Sequence, residues 1–291
     1  MSSELESGVI RLALPKGRMF DQIVDLLKDA GITIRSSERG YRPNISLANY
    51  STKILKPRNV IGMLQAGARD LGFAGADWVV ETKTELHEVL DTRLNPVRLV
   101  VAAPTELLEN GKLPNRHLVV ATEYPELASN WIQQQGLDAS VLQTYGATEV
   151  FPPEDADCII DNTATGSTLR ANGLEIIDEI MTSSTRLYAS TAAMEDPACR
   201  KMIDDLVMLL ESVLKARLRV MMDLNVTQEN LDAVLAILPS MKSPTVSSNS
   251  DSEWVAIRSA VPRKELAEVI PKLKAAGAAD IVITTAEQLI P

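Results

Sequence analysis

The chain is expected to fold as an α/β protein that ends in a ferredoxin-like βαββαβ module, and three observations carry that expectation. From Val9 to Arg217, short apolar runs alternate with segments of helical period, the pattern of strands interleaved with helices over a mainly parallel sheet. Several of those runs end at charged or hydroxyl-rich loops, and in such sheets ligands gather beyond the carboxyl ends of the strands. After Arg219 the order changes to strand, helix, strand, strand, helix, strand, which is the split βαβ arrangement.

Taken in order, Val9 to Leu14 is an apolar strand stopped by Pro15, and Lys16-Gly17-Arg18 makes a compact basic turn. A helix from Met19 places Phe20, Ile23, Val24 and Leu27 on one face and ends at Gly31. Ile45 to Leu47 and Thr52 to Leu55 are extended pieces, and Pro57 sits at the first position of a helix that reaches Gly67. Leu71 to Ala74 is a short buried strand broken by Gly75; Asp77, opening the next helix, is either its N-cap or a carboxylate facing a ligand. Val97 to Ala102 begins a second lobe. It continues with strand His117 to Ala121, helix Glu126 to Gln135 closed by Gly136, and strand Ser140 to Thr144. Pro104 to Pro114 is an irregular connection between them.

The stretch Ala156 to Ile180, ADCIIDNTATGSTLRANGLEIIDEI, reads as strand, loop and helix. Asp161 stands where the apolar run stops, and the helix-like segment begins near Leu169. A helix start preceded by Thr165, Gly166, Ser167 and Thr168 leaves backbone N–H groups free for a phosphate. The competing reading is that Thr165 or Ser167 only caps the helix. Thr185 to Ser190 is one more strand, and a long helix runs from Pro197 to Arg217 with a stripe of Ile203, Leu206, Leu210 and Val213. The last module comprises strand Arg219 to Leu224, helix Gln228 to Leu238, an extended piece at Thr245-Val246, strand Trp254 to Val261, helix Arg263 to Ala276 and strand Ile281 to Thr284. Pro271 is expected to kink its helix.

Composition narrows the function. A formal charge of −10 in 291 residues opposes general nucleic-acid binding, so any phosphate site must concentrate its positive charge locally. Two cysteines, Cys158 and Cys199, form no disulfide framework, MSSELESG has no signal-peptide character, and no apolar run reaches membrane-spanning length. The expectation is a cytoplasmic protein. His87 and His117 are too isolated for a metal cluster or a catalytic triad. Neither the Walker phosphate loop nor the dinucleotide glycine motif is present. What remains is an acidic residue, a Thr-Gly-Ser-Thr cradle and the cations Lys16 and Arg18, which are either ligands of an anion or solvated surface charges. Those parts suit a sugar phosphate carrying a second, metal-bound phosphate group.

At this point a resemblance becomes specific. ADCIIDNTATGSTLRANGLEIID resembles the phosphoribosyl-pyrophosphate loop of the ATP phosphoribosyltransferase family. LALPKGRMF, DLGFAGADWV, VVATEYPELA and GATEVFP resemble its other blocks in the same order, and LPSMKSPTVSSNSDSEWVAIRSAVPRKEL resembles the regulatory domain of its long form. The resemblance implies a two-lobed, periplasmic-binding-protein-like catalytic part: residues 1–96 with 181–217 as lobe I, 97–180 as lobe II, and 218–291 as the regulatory domain. It implies transfer of the phosphoribosyl group from phosphoribosyl pyrophosphate to N1 of ATP with release of pyrophosphate, the first step of histidine biosynthesis, aided by Mg2+. Carried over, Thr165 to Thr168 cradle the 5-phosphate, Asp161 and Glu149 face the ribose hydroxyls or the metal, and Lys16 and Arg18 meet pyrophosphate or triphosphate. Asp77 and Tyr124 fall on the nucleotide side. No acid or base is assigned, because adenine N1 is already an unprotonated nucleophile.

The loop departs from the usual pattern at Asn162-Thr163, where aliphatic residues are common, and at Ala164, where a serine is. The long form implies feedback inhibition by histidine near Asp223 and Thr245, although Asp223 by itself reads as an ordinary strand-end carboxylate. It also implies a hexamer built from dimers, without a separate regulatory subunit. The rival class is a non-catalytic two-lobed binder with a sensing domain.

Overall fold

The structure is a computed structural model that describes residues 8–35 and 40–290. The described residues fall into two compact units, one within Met1–Asp25 and Thr33–Asp204, the other within Leu26–Ile32 and Asp205–Pro291. Among the described residues no helix is long and apolar enough to cross a membrane.

The first unit starts with β1 (Ile10–Pro15), α1 (Arg18–Asp29, continuing into the second unit), the small pair β2 (Ile34–Arg35) and β3 (Asn44–Ile45), and β4 (Tyr50–Leu55). Next in the chain are α2 (Pro57–Gln65), β5 (Leu71–Gly75), α3 (Ala76–Glu81) and the long β6 (His87–Pro104). After a 3-10 turn come β7 (Leu118–Thr122), α4 (Pro125–Gln135), β8 (Ala139–Gln143), β9 (Cys158–Thr163), α5 (Ser167–Ala171) and the long β10 (Leu174–Ala189). α6 (Thr191–Glu195) follows, and α7 (Pro197–Arg217) begins in this unit and continues past Asp204 into the second.

Apart from the separate β2–β3 pair, these strands form one eight-stranded sheet in the order β4-β1-β5-β10-β6-β9-β7-β8. β1 is parallel to β4 and β5, and β7 is parallel to β8 and β9. The two long strands between them run antiparallel to each other and to β5 and β9. Two parallel half-sheets therefore share a central antiparallel ribbon. The sheet is mixed, not mainly parallel, because β6 and β10 reverse direction between the halves. Their pairing shifts register repeatedly, including between Ser183 and Thr185, and Arg93 and Asn95 have positive φ.

Burial on both faces explains the apolar runs. Leu99, Val101 and Ala103 pack with Val120, Cys158 and Ile160 under Leu127, Ala128 and Trp131 of α4. The alternate residues Val100 and Ala102 join Ala121, Ile159, Leu169 and Leu174 on the other side. Successive side chains of a strand point to opposite faces, so each run feeds two cores.

Three readings of this part are corrected. β9 continues two residues past Asp161, so the carboxylate lies within the strand. The helix-like segment after the loop is a single turn, Ser167–Ala171; Gly173 at φ 72 ends it and Leu174 begins β10. The apolar residues Ile176, Ile177 and Ile180 fit a helical period as well as a twisted strand, and pairing with β6 decides between them. Asp77 is not an N-cap, since Gly75 holds that position in α3.

The second unit carries β11 (Arg219–Thr227), α8 (Leu231–Ile237), β12 (Thr245–Ser248), β13 (Trp254–Pro262), α9 (Leu266–Ala275) and β14 (Ala279–Thr284). Its sheet order is β12-β13-β11-β14, antiparallel throughout, as the βαββαβ order requires. Val220, Met222, Leu224 and Val226 alternate inward and pack with Val255, Ile257, Val261, Val234 of α8 and Leu273 of α9. α9 runs through Pro271 as one helix.

Gly72 shows how tightly α2 sits on the first sheet. A Cβ there would lie 2.6 Å from Val60 Cγ1 and 3.2 Å from Ala13 Cβ. Gly72→Ala is expected to cost about 1–3 kcal/mol by overpacking, seen as a lower Tm, and Val60→Ala in the same chain should return part of it. An unchanged Tm for the single variant would contradict this packing.

Candidate functional site

β9 pairs with β6 at the edge of the ribbon, and the turn after it is built around Gly166. With φ at 73, Gly166 occupies the left-handed region, and a Cβ there would crowd Arg170 Nη1 at 3.0 Å and Ile176 Cδ1 at 3.2 Å. Thr163, the last residue of β9, accepts the Gly166 N–H on its hydroxyl (2.9 Å). Thr165 and Ser167 hydrogen-bond through their hydroxyls (3.0 Å), and Arg170 Nη2 donates to the Thr165 carbonyl (3.1 Å). The first backbone bond of the turn is Arg170 N–H to the Gly166 carbonyl (3.0 Å). The N–H groups of Thr168 and Leu169 stand ahead of it, where a helix start leaves donors over. Ala164, Thr165, Ser167 and Thr168 are exposed around this turn. Arg170, a guanidinium bracing the loop, is not among the residues the sequence singles out; its place one turn after Gly166 was the available signal.

Asp161 is partly buried and accepts its own neighbour's N–H, Asn162, at 2.7 Å. Burial pushes its carboxyl up to about 7, helped by the charges of Glu123, Glu149 and Asp77 and opposed by the Asn162 N–H. Glu149 sits in the 3-10 turn Thr148–Val150, which is pinned by the buried Thr144–Thr148 hydroxyl pair (2.9 Å). Asp161 and Glu149 are thus brought into one acidic group. Glu123, which directly follows β7, belongs to it as well and was missed by sequence reasoning. Burial raises its pKa, while Lys56 and Arg58 act against that rise.

Asp77 and Tyr124 are also brought together, but with each other. Tyr124 is fully buried, and its hydroxyl donates to Asp77 Oδ2 at 2.6 Å. Asp77 Oδ1 accepts the Ser183 hydroxyl at 2.7 Å, and Asn162 Nδ2 donates to Tyr124 OH at 2.9 Å. Trp78 packs on the Tyr124 ring at 4.7 Å between centroids. Nearby, the buried Glu81 of α3 accepts the N–H groups of Glu126 (3.2 Å) and Leu127 (3.0 Å), capping α4.

Lys16 and Arg18 lie at the carboxyl end of β1, both exposed. Lys16 Nζ stands over the Tyr41 ring, 5.4 Å from its centroid, at a cavity of about 710 Å³ that Gly17, Phe20 and Ile54 also line. Among the described residues no group of three or more His, Cys, Asp or Glu is placed to hold a metal ion by itself.

In the second unit, the face of the sheet opposite the helices carries a cavity of about 430 Å³. Cross-strand register places Thr245, Arg258, Asp223 and Val282 in one row on it. Arg258 Nε donates to Asp223 Oδ1 at 2.6 Å, and Asn225 Nδ2 donates to Asp280 Oδ2 at 2.9 Å. Asp223 and Thr245, far apart in sequence, line the same cavity.

Comparison with known proteins agrees along the chain. The ATP phosphoribosyltransferase family model matches residues 56–212, and the model of that family's C-terminal domain matches residues 216–288. The ATP phosphoribosyltransferase of Chlorobium chlorochromatii is 35% identical over 292 residues, covering 98% of this chain and 99% of the relative. That of Pelotomaculum thermopropionicum is 34% identical, with 97% and 99% covered. Among solved structures, a chain of the ATP phosphoribosyl transferase (HisG:HisZ) complex from Thermotoga maritima superposes with a TM-score of 0.63 at 26% identity, over 71% of this chain and 99% of that one. Matched by both family models and by relatives along nearly its whole length, the chain belongs to the ATP phosphoribosyltransferase family in its long form, and is an enzyme of the first step of histidine biosynthesis.

Proposed function

We propose that phosphoribosyl pyrophosphate binds at the β9–α5 turn and that ATP delivers adenine N1 to its C1 from across the sheet. The observation that carries this reading is the juxtaposition of first-turn N–H donors at Thr168 and Leu169 with the acidic group of Asp161 and Glu149. The donors and the hydroxyls of Thr165, Ser167 and Thr168 cradle the 5-phosphate, with Gly166 giving the turn its shape and Ala164 adding only backbone. Asp161 and Glu149 face the ribose hydroxyls. Lys16 and Arg18 meet the charged tail of a substrate at the end of β1. Asp77 and Tyr124, with their polar atoms engaged by each other, act as supports on the nucleotide side. Residues 1–96 with 181–217 and residues 97–180 serve as the two catalytic lobes.

Catalysis on this reading is positioning and charge. Adenine N1 carries a lone pair at neutral pH, so no base is needed, and carboxylates beside the ribose stabilise the positive charge that grows as pyrophosphate leaves. The metal would be Mg2+, and Asp161 and Glu149 are the residues that would hold it beside the substrate. One or two protein carboxylates suffice for such an ion, and the mutual repulsion within the Asp161 group is what a divalent cation relieves. When bound, Mg2+ supplies neutralisation of the leaving pyrophosphate.

In the second unit, residues 218–291 form the regulatory domain and histidine is the effector. Asp223 and Arg258 offer one acid and one base at a single cavity, the complement of an amino acid's ammonium and carboxylate, with Thr245 beside them. The protein works in the cytoplasm as a homo-oligomer, a hexamer assembled from dimers, binding neither nucleic acid nor membrane.

Incubation with ATP, phosphoribosyl pyrophosphate and Mg2+ should yield phosphoribosyl-ATP; no product under any metal condition would favour the non-catalytic binder. Asp161→Asn is expected to lower kcat/KM by about 100-fold and Thr165→Ala by about 10-fold with Tm unchanged, while wild-type kinetics in both would remove the loop assignment. Because the Asp161 carboxyl is raised to about 7, it is neutral below that pH in the substrate-free protein and ionised above it. The profile of kcat/KM for phosphoribosyl pyrophosphate should therefore rise with pH through about 7, and Asp161→Asn should abolish that limb. A profile flat through neutrality would contradict the role. Asp223→Asn should weaken histidine inhibition by about 10–100-fold and leave both substrate KM values in place, whereas unchanged inhibition would put the effector elsewhere.

A further inference from the structure

Asn162 holds two groups at once. Its backbone N–H donates to Asp161 Oδ1 (2.7 Å), and its side-chain amide donates to Tyr124 OH (2.9 Å). Proton count fixes the direction of every bond in the chain beyond it. Tyr124 has one proton, which goes to Asp77 Oδ2 (2.6 Å), so only lone pairs remain for Asn162. Asp77 takes the Ser183 hydroxyl on its other oxygen (2.7 Å) and returns its backbone N–H to Ser183 Oγ (3.1 Å). Tyr124, Asp77 and Ser183 are buried, so none of the three can reverse its role without leaving a buried donor or acceptor unpaired.

The path crosses the sheet. Ser183 lies on β10, the ribbon strand, at a register shift against β6. Asp77 belongs to α3, which follows β5 in one half, and Tyr124 and Asn162 belong to the β7 and β9 side in the other. The surroundings keep Tyr124 from swinging: Trp78 covers its ring, and Glu81 fixes the start of α4 one residue beyond it. At Gly75 a Cβ would lie 2.2 Å from Asp77 Oδ1, so the absence of a side chain there gives the carboxylate its room.

We propose that Asn162 is a positioning residue for Asp161, and that through Tyr124, Asp77 and Ser183 it ties the orientation of that carboxylate to the junction between the two half-sheets. The inference rests on the reading that Asp161 faces the ribose of phosphoribosyl pyrophosphate. Asn162 does not touch the reacting atoms. It sets how the neighbouring carboxylate meets the sugar, and any change at the junction is felt at Asp161 through four hydrogen bonds.

The test is a double-mutant cycle on the full-length enzyme, with Asn162→Leu, which keeps the volume and removes the amide, and Tyr124→Phe, which removes the hydroxyl. Each single variant is expected to raise KM for phosphoribosyl pyrophosphate by about 2–10-fold, the worth of one neutral hydrogen bond, and Asn162→Leu is expected to do so with KM for ATP held. The double variant should be no worse than the poorer single one, because both changes cut the same path. Additive effects on KM for phosphoribosyl pyrophosphate, or an equal rise in both KM values in Asn162→Leu accompanied by a lower Tm, would overturn the proposal. Should Asn162→Leu not be recovered folded, Asn162→Ser, too short to reach Tyr124, is read in the same way. Asp161→Asn run alongside separates the two levels: impaired Asp161→Asn with wild-type Asn162→Leu overturns this inference alone, and wild-type Asp161→Asn overturns the site reading beneath it.

Discussion

Two strands shared by both halves of the first sheet are the constraint on which the rest of this unit depends. β6 and β10 run antiparallel through the middle, so each half-sheet keeps its own parallel order while its last partner belongs to both. That arrangement brings segments separated by about a hundred residues to one place. Ser183 reaches Asp77 across 106 positions, and Tyr124 reaches Asp77 across 47. A carboxylate that is 5% exposed needs donors on both oxygens, and here the ribbon supplies one and the opposite half the other. The register shifts and positive-φ residues of the ribbon fall where the halves meet, so irregular strand and regular polar pairing share the same junction.

The chemistry poses a charge problem that the fold answers locally. A chain with net charge −10 handles two polyanionic substrates, and its candidate ribose site is itself acidic. Backbone N–H groups contribute partial positive charge at the β9–α5 turn, Arg170 braces that turn, and Lys16 and Arg18 lie at the end of β1. None of these requires a basic surface overall. Burial is the main cause of the Asp161 carboxyl being held up to about 7, and the neighbouring charges of Glu123, Glu149 and Asp77 add to it.

Much of this is legible in the sequence, for reasons that differ by element. The second unit can be read strand by strand because Val220, Met222, Leu224 and Val226 alternate against one buried face. The bounds of α7 and the proline start of α2 follow from ordinary helix punctuation. β10 reads wrongly as helix at Leu174 to Ile180 because most of its residues there are only partly buried, so neither alternation nor a continuous apolar run marks it. The first half of β6 escapes notice for a similar reason, since His87 to Asn95 is polar and interrupted. At the site, Asp161 and the hydroxyl loop lie together in sequence and are found together. Glu123, Glu81, Ser183 and Arg170 are not, because their roles come from pairing across the ribbon or from a turn whose length only the fold sets.

The central claim is that the β9–α5 turn, with Asp161 beside it, grips the ribose phosphate. A crystal structure of the protein with phosphoribosyl pyrophosphate and Mg2+ tests it most directly. The account requires the 5-phosphate on the N–H groups of Thr168 and Leu169 and the ribose hydroxyls within hydrogen-bond reach of Asp161. A ribose phosphate seated instead at the Lys16–Tyr41 cavity, with the β9–α5 turn empty, would contradict it.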